Sequence, residues 1–154
     1  MCLKGYLNLT KNLTTRSNGQ KTVGIYTMRL VPIDKFDDEA CENMMAASNE
    51  DLVPYIDGLL ECLQDLNWPI AGPVSERLSK LSVELVEPVL DILNSDDDVW
   101  KYWIVSHFLY QVEKEIFQLL RFKLNSIKLH PTKGEVDEEV HDVVCELLLA
   151  RKTA

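Results

Sequence analysis

Asp96, Asp97 and Asp98 form the densest carboxylate cluster of the chain, so they are the residues that most invite metal chemistry. Three adjacent side chains on one turn diverge, however, whereas Mg²⁺ and Ca²⁺ take their oxygen ligands from converging segments. Acids at the start of a helix are instead favoured by the helix dipole, by about 0.3–1 kcal/mol each. We therefore predict that the cluster begins a helix, and we expect no metal and no other cofactor.

The histidines show no arrangement typical of catalysis. His107 lies in an apolar segment and is expected to be a hydrogen-bonded imidazole in the core. His130 precedes a proline in a loop, and His141 lies on an acidic helical face. No Ser, Thr or Cys stands in a nucleophile elbow or near a HExxH, P-loop or GxGxxG pattern. We expect a protein that is not an enzyme, while catalysis through residues that only the fold brings together stays open.

Four cysteines, Cys2, Cys41, Cys62 and Cys145, are far apart in the chain and contain no CxxC pair. Scattered thiols of this kind are typical of small buried side chains in a reducing compartment. No apolar run approaches the roughly 20 residues of a membrane helix. Polar residues also interrupt the start of the chain, where a secretory signal would be apolar. These observations predict a cytoplasmic protein without a membrane partner.

Charge divides the chain into two unequal parts. Lys and Arg number 16 against 25 Asp and Glu, for a formal net charge of −9. Every acid lies after residue 30, whereas the first 30 residues contain five bases. An acidic body is a poor match for the phosphate backbone, so we expect no nucleic-acid partner.

The basic N-terminal part also differs from the rest in its predicted secondary structure. Tyr6–Thr10 and Thr22–Met28 favour strands, and Asn18-Gly19 is typical of a hairpin turn. Two such strands alone are marginally stable in water. We predict a basic extension at residues 1–30, mobile or folded as a weak hairpin, followed by a helical-repeat domain at residues 31–154.

From residue 36 onward, apolar residues recur at three- and four-residue spacings, which predicts an all-α fold. Seven helices are expected, with Asn67 capping the third. Ser95 with Asp98, and Thr132 with Glu135, fit the spacing of a capping box. The last helix is expected to turn its acids toward water, and these are Glu135, Asp137, Glu138, Glu139 and Asp142.

The predicted helices also repeat along the chain. Trp68 and Trp100 are 32 residues apart, and Leu52-Val53 recurs 33 residues later as Leu85-Val86. A period in the low thirties built from helix pairs is typical of an α-solenoid. We predict a short α-solenoid of about three helix pairs and a C-terminal capping helix. The expected ranges are 36–66, 68–95 and 99–129 for the pairs, and 135–151 for the cap.

The fifth predicted helix, which includes residues 99–110, has hardly a polar face. A helix that is apolar all round is normally buried on every side, so we expect it in the core. The alternative is that its aromatic residues reach the surface and bind a partner, because Trp and Tyr often dominate such interfaces.

Three blocks of this sequence resemble a known family over roughly residues 30–146. They are Leu30-Val31-Pro32, Asn67-Trp68-Pro69 and Asp97-Asp98-Val99-Trp100-Lys101-Tyr102-Trp103. The family is a bacterial domain of unknown function, DUF5071, whose members are small proteins with HEAT-like helical repeats. The resemblance implies a HEAT-like solenoid and brings no activity and no functional residues.

Three classes of function fit these observations. The first is a non-catalytic protein-binding module, because solenoids offer extended grooves. The second is an immunity-type protein that neutralises a basic toxin in bacteria, since opposite fields speed such an encounter. The third is an enzyme or a nucleic-acid-acting helical-repeat protein, which would require a basic groove. The sequence does not specify the oligomeric state.

We predict a binding surface for a protein partner, of which a basic protein is one class, at two turns of the repeat. Asn67 and Trp68 form the first turn, while Asp96, Asp97 and Trp100 form the second. Both turns precede the first helix of a pair, so they should follow one edge of the solenoid. The alternative is that the polar residues only cap helices and the tryptophans only pack.

Overall fold

The computed structural model describes residues 9–17 and 20–152, with side chains described from Met28 onward. After two strands, the described chain is helical from Asp38 to Ala150. The α-helices are α1 (Asp38–Ala46), α2 (Asn49–Leu52), α3 (Ile56–Glu61), α4 (Ala71–Leu78), α5 (Val86–Asn94), α6 (Asp98–Trp103), α7 (Leu109–Gln111), α8 (Lys114–Leu129), α9 (Lys133–Asp137) and α10 (Val140–Ala150). Two 3₁₀ turns (Val53–Tyr55 and Val83–Leu85) and a π-helix (Ile104–Phe108) connect some of them.

The strands β1 (Leu9–Ser17) and β2 (Gln20–Met28) form an antiparallel pair, with Leu9 opposite Met28 and Ser17 opposite Gln20. The second strand lies close to its predicted range, whereas the first extends seven residues beyond its predicted end, and predicted residues 6–8 lie outside the described part of the chain. The polar residues of β1 carry no hydrophobic alternation, so pairing with β2 decides its length. The predicted turn at Asn18-Gly19 lies outside the described residues.

A hydroxyl cap starts the second helical segment. The Ser48 hydroxyl accepts a hydrogen bond from the Asp51 backbone N–H, which starts α2 at Asn49. A 3₁₀ turn containing Pro54 then leads directly into α3. A proline is tolerated there because residues in a first turn need no N–H donor.

The prediction that Asn67 caps the third helix is wrong, because α4 begins only at Ala71. The Asp65 carboxylate accepts both the backbone and the side-chain N–H of Asn67, at 2.9 and 3.0 Å. This Asx turn keeps Asn67 in the loop that precedes the helix.

The predicted capping box of Ser95 and Asp98 is also wrong. The N-cap of α6 is Asp97, whose carboxylate accepts the backbone N–H of Trp100 at 2.9 Å. The Ser95 hydroxyl instead donates to the Ile92 carbonyl at 2.8 Å and so ends α5. The acid cluster does begin a helix, with its cap at Asp97, two residues after the expected cap Ser95.

The fifth predicted helix is not buried on all sides, contrary to the expectation. Ile104 and Phe108 are fully buried, but Val99 is 48 % exposed and Trp103 is half-buried. His107, which was expected in the core, is exposed. The buried residues recur at helical spacings (Lys101, Ile104, Val105, Phe108, Leu109 and Val112), so one face of the segment is buried and His107 lies on the other.

The last predicted helix is two helices. The Thr132 hydroxyl accepts the Glu135 N–H while the Glu135 carboxylate accepts the Thr132 N–H, which confirms the predicted capping box. The chain then breaks at Glu139, whose φ of 61° is left-handed, and resumes as α10. Glu135 is 3 % exposed, so its predicted outward position is wrong.

One contiguous apolar core extends from Leu30 near the strands to Leu148 in α10. Its largest fully buried side chains include Phe108, Phe117 and Met44. From Asp38 to Ala150 every regular element of the described chain is helical, which confirms the all-α prediction for this part. Within the described residues, no helix is long and apolar enough to cross a membrane.

Candidate binding groove

The first predicted binding turn is accessible. Asn67 is exposed and its side chain donates to Asp65, while Trp68 is 38 % exposed. The backbone N–H of Trp68 donates to the Asp65 carbonyl at 3.2 Å. The turn thus presents an indole at the surface on a hydrogen-bonded support.

In the second predicted turn some side chains are exposed and others have structural roles. Asp96 and Asp97 are exposed, but Asp97 is used as the N-cap of α6. Trp100 is half-buried, and its indole Nε1 is a buried donor without a hydrogen-bond partner in the described structure. An unsatisfied buried donor costs about 1–3 kcal/mol. Among the described residues, no hydrogen bond or ion pair joins this turn to Asn67 or Trp68.

A buried ion network holds the second turn against α9. Lys101 Nζ lies 2.8 Å from Asp98 Oδ1 and 3.0 Å from Glu135 Oε1. The Lys101 and Glu135 side chains are each 4 % exposed. Gly134 leaves room for this network, because a Cβ at that position would lie 2.0 Å from Asp98 Oδ2.

The network favours the charged form of both buried groups. Burial opposes the charge on Lys101, but hydrogen bonds to Asp98 and Glu135 raise the pKa of Lys101 overall. Burial likewise opposes the Glu135 carboxylate, but the Thr132 N–H and Lys101 lower the pKa of Glu135 overall. The turn is therefore held by a cation between two carboxylates, which uses Asp98 structurally. No group of three or more His, Cys, Asp or Glu side chains in the described residues could hold a metal ion.

An open groove of about 1070 Å³ lies between α1 and α4. Its apolar lining consists of Cys41, Met45 and Ala46 of α1 with Pro73 of α4. Met45 is 43 % exposed there, although the other methionine of α1, Met44, is fully buried. The volume is slightly above the range of about 300–1,000 Å³ that is typical of small-molecule pockets.

Carboxylates border the apolar floor of the groove. Asp38 and Glu42 are one turn apart on α1, and Glu76 belongs to α4. Glu76 is the acid with a local counter-charge, since Lys80 Nζ lies 2.9 Å away and lowers the pKa of Glu76. Burial, together with Asp37 and Asp38, raises the pKa of the Cys41 thiol and so keeps it neutral. The groove therefore offers apolar contact within a negative field.

Three polar side chains, Asp37, Arg77 and Gln111, fix the two helices that form the groove. The Asp37 carboxylate caps α1, accepts the Ile33 N–H and pairs with Arg29 at 2.7 Å. The buried Arg77 guanidinium of α4 donates to the Ala47 carbonyl at the end of α1, at 2.8 Å. Gln111, which lines one end of the groove, donates to Ser75 of α4 at 2.9 Å.

The burial of Asp37 does not prevent its ionisation. Burial opposes the carboxylate, but the Ile33 N–H, the Arg29 guanidinium and the Ala40 N–H outweigh it and lower the pKa of Asp37. A charged N-cap stabilises the first turn of α1 through the helix dipole. This first turn contains Asp38, so the cap positions the acid at the start of the groove.

Two clusters with nucleophile or base side chains lie outside the groove. The Ser106 hydroxyl is 2.6 Å from the Tyr102 carbonyl and 2.8 Å from His107 Nδ1. Because that hydroxyl donates its one proton to the carbonyl, it accepts from His107 and cannot act as a His-activated nucleophile. On α10, His141 Nε2 lies 3.7 Å from Cys145 Sγ, and His141 Nδ1 lies 3.1 Å from a largely exposed carboxylate. Both clusters satisfy local hydrogen bonds on single helices.

Sequence reasoning missed the groove although a signal was present. Ala40, Cys41, Met44 and Met45 together cover a wider arc of α1 than one buried face requires. The excess residue is Met45, and the structure leaves it at the surface. The carboxylates and Gln111 could not be placed from sequence, because Glu76 and Gln111 reach the groove only through tertiary packing.

These observations define an all-α protein with an open, acid-bordered groove between two of its helices. The chain belongs to the family described as Domain of unknown function (DUF5071), which it matches over residues 30–148. No curated protein matches the chain closely enough to count as a relative. The family description names no activity, so a function must be argued from the groove.

Proposed function

We propose that this protein is a non-catalytic protein-binding module of a bacterial cytoplasm, built as a short solenoid of about three HEAT-like helix pairs with a C-terminal capping helix. The succession of helices from Asp38 to Ala150, whose longest connection is residues 62–70, supports the solenoid. In that architecture each pair packs on its neighbours and leaves surface grooves for partners.

The observation that carries the proposal is the groove between α1 and α4. An apolar floor bordered by carboxylates fits a partner segment with apolar side chains and flanking Lys or Arg. Apolar burial supplies affinity, while the negative border speeds encounter and selects a basic partner. The partner is therefore a basic, amphipathic protein segment.

A synthetic peptide tests this directly. The fluorescence anisotropy of a labelled amphipathic Leu/Lys helix should increase when the full chain is added. The binding should weaken as the salt concentration rises from about 50 mM to about 500 mM. Met45→Ala and Glu42→Gln should each weaken binding at least about three-fold, by loss of apolar and charge contact respectively.

A matched control separates the groove from general electrostatics. Asp91→Asn removes the same charge at an exposed site on α5, so it should leave binding unchanged. Equal loss with Asp91→Asn and Glu42→Gln would show that the peptide senses only the net charge of −9. No binding by the unaltered chain at low salt would refute the proposal.

A basic toxin is one partner with the required chemistry, and the acidic border of the groove favours it as a second candidate function. A basic nuclease encoded beside this gene would be toxic when expressed alone and tolerated when expressed with this chain. Rescue by the unaltered chain that is lost with Glu42→Lys would support this role. Rescue that is independent of the groove would contradict it.

A further inference from the structure

Helix α8 presents an unpartnered apolar ridge on the side opposite the core. Phe122 and Leu129 are 67 % and 68 % exposed, and Leu119 is 45 % exposed. Phe122 and Leu129 are seven residues apart, which places them on one face two turns from each other. Contiguous exposed apolar side chains of this size mark interaction sites.

A cationic stripe accompanies the ridge. Lys114, Arg121 and Lys128 recur at seven-residue intervals along the same helix, so Arg121 and Lys128 directly precede the two ridge residues. Including Lys123, α8 carries four cations and one acid, Glu115, within a chain of net charge −9. The surface is therefore both apolar and locally positive.

Within residues 28–152, whose side chains the structure describes, the ridge stays open to solvent. The opposite side of α8 contains Ile116, Leu120 and Leu124, which are buried in the core where α8 packs against α5 and α10. The acidic groove is formed by α1 and α4 of the same folded body. The outward face of α8 therefore reaches a groove only on another molecule.

Helix α1 carries the complementary pattern. Asp38 and Glu42 are four residues apart, as are Cys41 and Met45, so an acidic stripe runs beside an apolar one. Helix α8 has a cationic stripe beside an apolar ridge. We propose that the occupant of the groove is a second copy of this chain, whose α8 ridge docks head to tail between α1 and α4. This inference rests on the proposed function, because it names the partner of that same groove.

The proposed contact uses two different surfaces, so it is heterologous, and an open assembly leaves an unused groove at one end and an unused ridge at the other. A ridge of three side chains is smaller than the contact of an obligate dimer, so association should depend on concentration. Repulsion between acidic copies acts at longer range than the contact and is screened within about 8 Å at 0.15 M salt.

Sedimentation at increasing concentration in about 0.15 M salt tests the proposal with variants that each remove one surface. The unaltered chain should form species heavier than the 17.7 kDa monomer. Phe122→Asp removes the ridge and Met45→Asp removes the groove floor, so each variant alone should stay monomeric. Mixed in equal amounts they should form a dimer, because one copy retains its groove and the other its ridge.

Each alternative result overturns the inference. A monomeric mixture, or an unaltered chain that stays monomeric, excludes head-to-tail association. Self-association of Met45→Asp alone would mean that α8 pairs with α8 instead. Both substitutions are at exposed positions, and circular dichroism checks that the variants fold. If Met45→Asp does not fold, Glu42→Lys replaces it in the same mixture.

The Phe122→Asp variant also separates this inference from the proposed function, since its groove is intact. Binding of the Leu/Lys peptide by a Phe122→Asp chain that fails to associate in the mixture leaves the groove function standing and removes only the self-association. Failure to bind the peptide removes the groove function itself.

Discussion

Replacing Lys101 with Met removes the cation that lies between Asp98 and Glu135. The substitution keeps most of the aliphatic volume, so its main effect is to leave two carboxylates without their shared counter-charge. Lys101 is 3 % exposed, so water cannot easily take its place. The consequence should appear in the free energy of unfolding.

Breaking a buried ion pair by removing one partner costs about 3–5 kcal/mol. Here the Asp98 side chain keeps 16 % exposure, and Glu135 still accepts the Thr132 N–H at 2.8 Å. Water and the Thr132 N–H thus still stabilise the two carboxylates in part. We therefore expect Lys101→Met to lower the free energy of unfolding by about 3 kcal/mol, the low end of that range. For a chain of this size that corresponds to a fall of about 10 °C in Tm.

The stability lost on Lys101→Met should depend on pH, and the two pKa shifts give the direction. The pKa of Glu135 is below its ordinary value of 4.5 in the folded chain, so its contribution is present above 4.5 and disappears as pH falls through the folded value. The pKa of Lys101 is above its ordinary value of 10.5, so its contribution is present below 10.5 and disappears as pH rises through the folded value. The difference between Lys101→Met and the unaltered chain should be largest between these limits and shrink in acid.

Urea denaturation followed by circular dichroism at neutral and acidic pH measures this difference. Lys80→Met is the matched control, because Lys80 makes an exposed pair with Glu76 that water screens, so its loss should change stability far less. Adding Glu135→Gln to Lys101→Met should cost less than the sum of the single changes, with a coupling of about 1–2 kcal/mol. A Lys101→Met loss below about 1 kcal/mol, or one that does not shrink in acid, would refute the assignment of a buried charged network.

The remaining predictions use the same urea assay. Gly134→Ala should destabilise the chain by about 2 kcal/mol, because its Cβ would overlap a carboxylate oxygen 2.0 Å away, whereas Gly72→Ala, with open space in α4, should stabilise it by about 0.5–1 kcal/mol. Equal changes in stability for the two glycine substitutions would contradict the close approach of Asp98 to Gly134. Asp97→Ala should cost about 1 kcal/mol through loss of the α6 cap, and the exposed Asp96→Ala should stay within about 0.5 kcal/mol; the reverse order would disprove the cap. Asp37→Asn should reduce stability at neutral pH but not well below pH 3.8, its ordinary pKa, where the lowered-pKa carboxylate is protonated in both states, and a loss that persists in acid would show that charge is not the cause.

The all-α part of the fold was predictable because amphipathic spacing is a local property of the chain. The helix at 114–129 and the capping box of Thr132 with Glu135 lie where the pattern indicates. The predictions failed where side chains had several local partners. Asn67 bonds to Asp65 instead of capping a helix, and Asp97 caps α6 in place of Ser95. Several local hydrogen bonds are possible at such positions, and the direction in which the following helix packs decides which of them forms.

The sequence by itself determined the helices, the acidic body with its basic N-terminal part, and the family. Only the tertiary structure decided which face of each helix meets water. It buried Lys101 with Glu135, exposed His107, and left Met45 and Phe122 at the surface. The physical reason is that periodicity records how apolar residues are spaced around one helix, whereas burial depends on which helices, distant in sequence, pack against it.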